Sequence, residues 1–233
     1  MASDEQFIHG ICNYCNRWCE RCSKTQQCIS FAHDQLSNGI DLKQSNNDLE
    51  NKKFWNAIEQ FLKTDSNKLI QNASLNASSQ IPVTHLAEFA EQYENSVNDW
   101  LTKNNTFFEE KNELVVGKYD GYNSIMFSDA IEILKWYSLF ISKRILRSLK
   151  DLNERMNGNF KDSNNPFRDN LGSAKNTIVA CNHSMAAFLL LYTELEKHQD
   201  KIQSFFTELI QIKSCMLEIF PEAMQFKRPG FDS

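Results

Sequence analysis

The apolar residues of segment 85–103 recur every three or four positions, as they do on one face of an α-helix. This amphipathic series comprises Leu86, Phe89, Ala90, Tyr93, Val97, Trp100 and Leu101. Apolar residues at helical spacing also run through segments 53–71, 128–151, 174–198 and 200–220. Long helices joined by short connections pack against neighbours of opposite direction. The sequence therefore predicts an all-α fold, an antiparallel helical bundle.

Residues that form tight turns are scarce in this chain. Its 233 residues include 7 glycines and 4 prolines, which argues against an all-β fold. The absence of GxGxxG and GxxxxGK[ST] motifs argues against dinucleotide-binding and P-loop folds. Only segment 113–119 carries a weak strand pattern. A hydrophobic fraction of 41% is sufficient for a sizeable core without disulfides.

Composition divides the chain into three parts. Residues 1–36 form a cysteine-rich segment, which we call the head and predict to bind metal. Residues 37–52 are polar and poorly periodic, so we expect a linker or loop. Residues 53–233 contain the helical bundle, and its last residues, KRPGFDS, read as a tail.

The head holds five of the seven cysteines, between positions 12 and 28. Cys12, Cys15, Cys19 and Cys22 have the spacing of one helix face, which predicts a cysteine-rich helical segment. On a straight helix the sulfurs of Cys12 and Cys22 would lie about 15 Å apart. Zinc holds each thiolate at about 2.3 Å, so one ion cannot bind all four unless the helix breaks. Otherwise each CxxC pair needs outside ligands, among which Cys28 is the strongest candidate and His33 a weaker one.

Metal binding is the function that this cysteine pattern favours most. The candidate ligands are Cys12, Cys15, Cys19, Cys22, Cys28 and His33. Thiolates select zinc, Cu(I) or iron–sulfur clusters, and we favour zinc in a structural or sensory role. Arg17 and Arg21 alternate with the cysteines, and their positive charges could offset the negative charge of the thiolates without binding the metal themselves.

Two alternatives to zinc remain open. The Cys15–Cys22 portion matches the CxxxCxxC spacing that radical-SAM enzymes use for a [4Fe–4S] cluster, so an electron carrier or enzyme could use the same cysteines. Those enzymes carry a partial or full β/α barrel, and this sequence shows no strand–helix alternation. The other alternative is a metal-free helical interaction protein in which the cysteines pack as small apolar groups. No catalytic motif of comparable strength occurs, so the sequence predicts no reaction.

The head also resembles a group of uncharacterised bacterial proteins that share the pattern CxYCxRWCExC and a further cysteine. The matching residues are Cys12, Tyr14, Cys15, Arg17, Trp18, Cys19, Glu20, Cys22 and Cys28. The stretch 172–175 and the small residues Ser184, Ala186 and Ala187 are similar as well. The resemblance covers about a quarter of the chain and implies no activity.

Outside the head, His183 is the residue most suggestive of a site. Its helical neighbours are small and apolar, which predicts a buried histidine that binds a ligand, carries a proton or is satisfied by one hydrogen bond. The formal net charge of −5 argues against general nucleic-acid binding. An acidic N-terminal stretch and a longest apolar run of only residues 185–192 predict a cytoplasmic protein without membrane spans. A protein partner or a second copy could bind through the helix faces.

Overall fold

The computed structural model describes residues 7–37, 47–65, 81–115, 126–157 and 169–232. Every regular element within these residues is helical, which confirms the all-α prediction. The α-helices are α1 (Ile29–Ser37), α2 (Asp48–Asp65), α3 (Leu86–Lys103), α4 (Asn105–Val115), α5 (Phe127–Met156), α6 (Asp169–Glu194) and α7 (Gln199–Ile219). Over the same residues, none of these helices combines the length and apolarity needed to cross a bilayer.

Helix α6 lies at the centre of the described structure. It contacts α2, α5 and α7, and α3 packs against both α5 and α7. Neighbours cover α6 on several sides, and small or apolar residues accordingly occur nearly all round the helix. It therefore lacks the clear amphipathic face of α3. Ile178, Cys181 and Leu191 of α6 are each at most 1% exposed. This helix therefore forms the centre against which α2, α5 and α7 pack.

Three predictions about the elements need correction. The weak strand pattern at 113–119 is wrong for residues 113–115, which end α4, and residues 116–119 lie outside the described residues. Helix α4 itself was not predicted. The predicted linker 37–52 extends too far, because α2 already begins at Asp48. Residues 38–46 of that linker lie outside the described residues.

The cysteine-rich segment predicted to be helical does not form one helix over Cys12–Cys22, and the break that the sequence left open is present. The head instead forms short 3₁₀ turns at Ile11–Asn13, Cys19–Arg21 and Thr25–Gln27, followed by α1. Arg17 has a φ of 60°, a left-handed conformation that no right-handed helix accommodates, and Cys22 is extended. The chain thus bends on both sides of Cys19, and the cysteine spacing does not describe one helix face.

Aromatic side chains attach the head to the helices. Trp18 is buried and stacks on Trp136 of α5, with ring centroids 5.2 Å apart. The Trp136 indole N–H donates to the carbonyl oxygen of Asn16 at 3.0 Å. The Trp55 indole N–H donates to the carbonyl oxygen of Arg21 at 2.7 Å. These bonds join backbone carbonyl groups of the irregular head to α5 and α2.

Gly172 of α6 allows the head to approach that helix closely. A Cβ atom at position 172 would lie 2.2 Å from the Tyr14 ring, and Tyr14 is 1% exposed. The ring of Tyr14 also contacts Phe226, which immediately precedes the tail, at 5.0 Å between centroids. The absence of a side chain at Gly172 is therefore what lets Tyr14 fill the gap between α6 and the tail.

We expect Gly172→Val to destabilise the protein by about 2 kcal/mol, because the new side chain must displace a buried ring. Urea unfolding of the full chain measures this loss. The matched control is the double variant with Tyr14→Ala, in which the clash is removed and the valine should cost clearly less than in the wild-type background. Equal costs in both backgrounds would show that Tyr14 does not occupy the space beside Gly172.

Candidate functional site

The five cysteines of the head line one small cavity of about 20 Å³. Turns on both sides of Cys19 bring them there, and Cys28 joins them at the residue that precedes α1. All seven cysteines of the chain are free thiols. Ile11, Trp18, Phe31 and Phe231 form the apolar wall of the cavity. A small, thiol-lined space with apolar walls is suited to holding a soft metal ion.

The thiols of this cavity are close enough to influence one another electrostatically. The pKa of Cys19 is raised to about 11, chiefly by burial and also by negative charge on Cys15 and Cys28. The pKa of Cys22 is raised to about 12, again chiefly by burial, with smaller contributions from Cys15 and Cys19. Each thiol therefore disfavours ionisation of its neighbours. A divalent cation among them would remove this repulsion by providing a positive charge for all the thiolates.

Backbone N–H groups point at two of the sulfurs. The N–H of Arg17 donates to Cys15 Sγ at 3.4 Å, and the N–H of Lys24 donates to Cys22 Sγ. Burial raises the pKa of Cys15, whereas these bonds lower the pKa of each thiol by stabilising the thiolate. In both cases the donor follows its cysteine by two residues. The bends that break the expected helix therefore also orient donors toward potential metal ligands.

The thiols are not arranged as a finished coordination shell. Among the residues that the structure describes, no three His, Cys, Asp or Glu side chains are placed as ligands of one metal ion. Cys12 lines the cavity, but its Sγ lies 3.9 Å from the Asn13 side-chain oxygen. Binding a metal would thus require rotation of several thiols toward the centre of the cavity.

Other candidate residues of the head lie elsewhere. His33 is exposed on α1 and is not among the residues that line the cysteine cavity. Arg17 does line it. Arg21 turns away to α5, where its guanidinium pairs with Asp129 and Glu132 at 2.7 Å each. Arg21 therefore anchors the head rather than facing the thiols.

A second and larger cavity, of about 470 Å³, adjoins the cysteine cavity. Cys15 and Cys22 line both cavities. The larger one is of the size that binds small molecules in many proteins. Its polar and aromatic lining comes from α2, α5, α6 and the tail, and includes Trp55, Glu59, Tyr137, Phe140, Asn176, His183, Arg228 and Asp232.

His183 lies at the wall of this larger cavity and is 7% exposed. Its ring stacks on Trp55 at 4.5 Å, and its Nδ1 lies 3.2 Å from the hydroxyl oxygen of Tyr137. Its Nε2 lies 3.9 Å from a carboxylate oxygen of Glu59. Burial lowers the pKa of His183, and the Glu59 carboxylate only partly opposes this effect, so the imidazole is neutral at pH 7.

The tail closes one side of the larger cavity through an ion-pair cluster. Asp232 pairs with Arg228 at 2.9 Å and with Lys175 of α6 at 2.8 Å. Arg228 also donates to the Asn176 side-chain oxygen at 3.1 Å. Sequence reasoning assigned no role to these tail residues. The partners on α6 and in the tail are far apart in the sequence, so no spacing pattern relates them. Only the fold brings them together.

This cluster predicts a pH-dependent contribution to stability. Burial alone would raise the pKa of Asp232, but the bonds from Arg228 and Lys175 hold it well below its usual range. We expect Asp232→Asn to cost about 1–3 kcal/mol at pH 7. Because the pKa is depressed in the folded state, the wild-type advantage is complete above the unfolded pKa of about 3.9 and shrinks as the pH falls from there.

Urea unfolding of the wild type and of Asp232→Asn, at pH values about one unit apart between pH 3 and pH 7, measures this difference in stability. The exposed pair Lys103–Asp99 provides the control, because Asp99→Asn should change stability little at any pH. A cost for Asp232→Asn that stays constant as the solution is acidified would contradict the ion-pair cluster.

Comparison with known proteins leaves the site to be interpreted from its own chemistry. No protein-family model matches the chain, and neither a curated protein nor a solved structure is similar enough to count as a match.

Proposed function

We propose that the protein binds a metal ion, with zinc favoured, through Cys15, Cys19, Cys22 and Cys28. The observation that supports this most is that these thiols line one cavity, although they are not adjacent on any helix. Negative charge on one thiol raises the pKa of another, which indicates that these thiols lie near one another. The N–H donors to Cys15 and Cys22 favour the thiolate form. The type of ligand also fits, since four thiolates around one ion are a typical structural zinc site.

Two observations support zinc over a larger cofactor. A cavity of about 20 Å³ has room for one ion, whereas a four-iron cluster would need the whole segment to open. The head is held by 3₁₀ turns, which give it little regular structure of its own. An ion shared by Cys15, Cys22 and Cys28 would connect its successive turns. We infer a structural or sensory role, in which loss of the ion loosens the head.

An iron–sulfur cluster at the same cysteines is the second candidate. The observation in its favour is the cavity of about 470 Å³ that Cys15 and Cys22 also line, since an enzyme would need space for a substrate beside its cluster. The third candidate is a metal-free interaction protein. Leu139 and Leu146 of α5, which are 47% and 48% exposed, would then offer an apolar face to a protein partner or a second copy.

Metal and sulfide analysis of the full chain, purified without oxygen, separates the three candidates. The proposal expects about one zinc per chain and no acid-labile sulfide. Iron together with sulfide and absorbance near 400 nm would instead establish the cluster. Less than about a tenth of an equivalent of any metal, after incubation with excess zinc, would overturn both metal candidates.

We further infer that the helices form an antiparallel bundle. The supporting contacts join the end of α5 to the start of α6, and the earlier part of α5 to the later part of α6. Asn170, near the beginning of α6, donates its backbone N–H to Asp151, near the end of α5. Further along α6, His183 contacts Tyr137, which lies earlier in α5. This crossed order of contacts is the one expected for neighbours of opposite direction.

The state of the cysteines supports a reducing compartment, which we infer to be the cytoplasm. Seven free thiols in one chain would be prone to oxidation outside it, and none of the seven has a disulfide partner.

A further inference from the structure

We propose that the larger cavity binds a small organic carboxylate, which accepts hydrogen bonds from His183 Nε2–H and Asn176 Nδ2–H. Both side chains are more than nine-tenths buried, at 7% and 3% exposure, and both line this cavity. Neither His183 Nε2 nor Asn176 Nδ2 has a hydrogen-bond partner within the described residues. The inference does not depend on whether the cysteines hold a metal.

The hydrogen bonds around Tyr137 determine which ring nitrogen of His183 carries the proton. The Asn16 side-chain amide donates to the Tyr137 hydroxyl oxygen at 2.8 Å. Burial raises the pKa of Tyr137, so the hydroxyl keeps its proton and donates it to His183 Nδ1. A neutral imidazole that accepts at Nδ1 must carry its hydrogen on Nε2. His183 Nε2 is therefore a hydrogen-bond donor.

Glu59 does not satisfy this donor. Its nearest oxygen is 3.9 Å from His183 Nε2, beyond hydrogen-bond distance. The side chain of Glu59 is 57% exposed, so water competes for the carboxylate and weakens any pairing with the ring. A buried N–H without an acceptor destabilises the protein, and a ligand oxygen would supply the missing hydrogen bond.

The orientation of the Asn176 amide is fixed by Arg228. A guanidinium has only donors, so the Asn176 atom 3.1 Å from Arg228 must be the carbonyl oxygen. The Nδ2 group then points the other way and supplies further donors. His183 and Asn176 are seven residues apart, so their donors lie about two turns apart along one face of α6, and a carboxylate bound between them would offer one oxygen to each.

The charges of the cavity favour a single negative charge on the ligand. Arg228 shares Asp232 with Lys175, and Arg21 is paired with the carboxylates of α5. Lys24 and Lys52 also line the cavity, and neither forms an ion pair within the described residues, while the carboxylate of Glu59 lines the same cavity. A dianion such as a phosphate monoester would meet Glu59 and Asp232 with greater repulsion than a monocarboxylate.

The remaining walls favour an organic molecule over an inorganic ion. Trp55, Tyr137, Phe140 and Phe231 present aromatic rings to a space of about 470 Å³. Such a space is too large for acetate or bicarbonate alone, and its rings would pack against an apolar body. We therefore take benzoate as the probe, with benzamide as its uncharged counterpart and phenyl phosphate as its dianionic counterpart.

The test is an NMR titration of the full chain, in which the His183 Nε2–H resonance is followed in long-range ¹H–¹⁵N spectra. The signal is assigned from its loss in His183→Phe. Benzoate should shift the resonance in a saturable manner at constant ionic strength. Benzamide and phenyl phosphate should each bind at least about tenfold more weakly.

Asn176→Asp provides the decisive variant, because it keeps an oxygen for Arg228 and replaces only the free amide donor. We expect benzoate affinity to fall by at least about tenfold. Asn182→Asp is the matched control on the same helix. Its amide oxygen accepts from Lys213 at 2.8 Å, so it makes the same change of charge while keeping that contact. Affinity in the control should stay within about threefold of wild type.

Three outcomes would overturn the inference. One is the absence of saturable binding of benzoate to the folded wild-type chain. Another is binding of phenyl phosphate that equals or exceeds that of benzoate. The third is an equal effect of Asn176→Asp and Asn182→Asp, which would mean that added charge rather than a lost donor weakens binding.

Discussion

Replacing two cavity cysteines, as Cys15→Ser with Cys22→Ser, is expected to abolish stoichiometric metal binding by the full chain. Serine is a poor ligand for zinc, and the variant retains at most two of the four proposed thiolates. Zinc should raise the melting temperature of the wild-type protein, because the ion binds only the folded head. The double variant should melt at the same temperature with and without zinc.

Single substitutions provide the controls for this result. Cys215 lies on α7, where its thiol contacts the carbonyl oxygen of Ile81 at 3.6 Å, and Cys215→Ser should bind zinc as the wild type does. Cys12 lines the cavity but is outside the proposed ligand set, so Cys12→Ser should retain one zinc per chain. A loss of zinc with Cys12→Ser and its retention with Cys15→Ser would contradict this choice of ligands.

Trp18→Ala is expected to give the largest loss of stability, about 3–5 kcal/mol, because it removes the main aromatic anchor of the head. Trp18 is 7% exposed, stacks on Trp136 and meets Trp55 edge-on at 6.0 Å. Its ring also forms part of the wall of the cysteine cavity. Zinc affinity should therefore decline together with the free energy of unfolding.

Denaturant unfolding and a zinc competition assay measure both effects on one preparation. Trp18→Phe is the matched control, since it preserves an aromatic ring at the same position and should cost clearly less than the alanine variant. A loss below about 1 kcal/mol for Trp18→Ala would show that the head is not packed on α5 as described.

Helices with one buried face were predictable from the sequence. A helix buried on several sides, or one that depends on a tertiary contact, was predicted less well. The pattern over 85–103 agrees closely with α3 (Leu86–Lys103), because a single apolar stripe is the signal that periodicity detects. Helix α6 begins at Asp169 rather than near residue 174, since burial on several sides blurs its pattern. Helix α4 was missed because its buried contact depends on a tertiary partner, with Phe108 packed 5.1 Å from Trp100.

The candidate site was predictable only in part, and for a physical reason. Composition identified the cysteines, and the rise of a helix indicated Cys28 as an additional candidate ligand. The spacing could not reveal the bend at Arg17, because a left-handed residue other than glycine has no sequence signature. Asn176 and Arg228 could not be paired in advance, since they are brought together only when the tail folds onto α6.

The wall shared by the two cavities has a consequence for their ligands. Cys15, Cys22 and Phe231 face both spaces, so thiols that rotate toward an ion also reshape the boundary of the neighbouring site. If both sites are filled, their binding free energies are coupled through these side chains. Thermodynamic reciprocity then requires that an organic acid change the affinity for the ion by the same factor by which the ion changes the affinity for the acid.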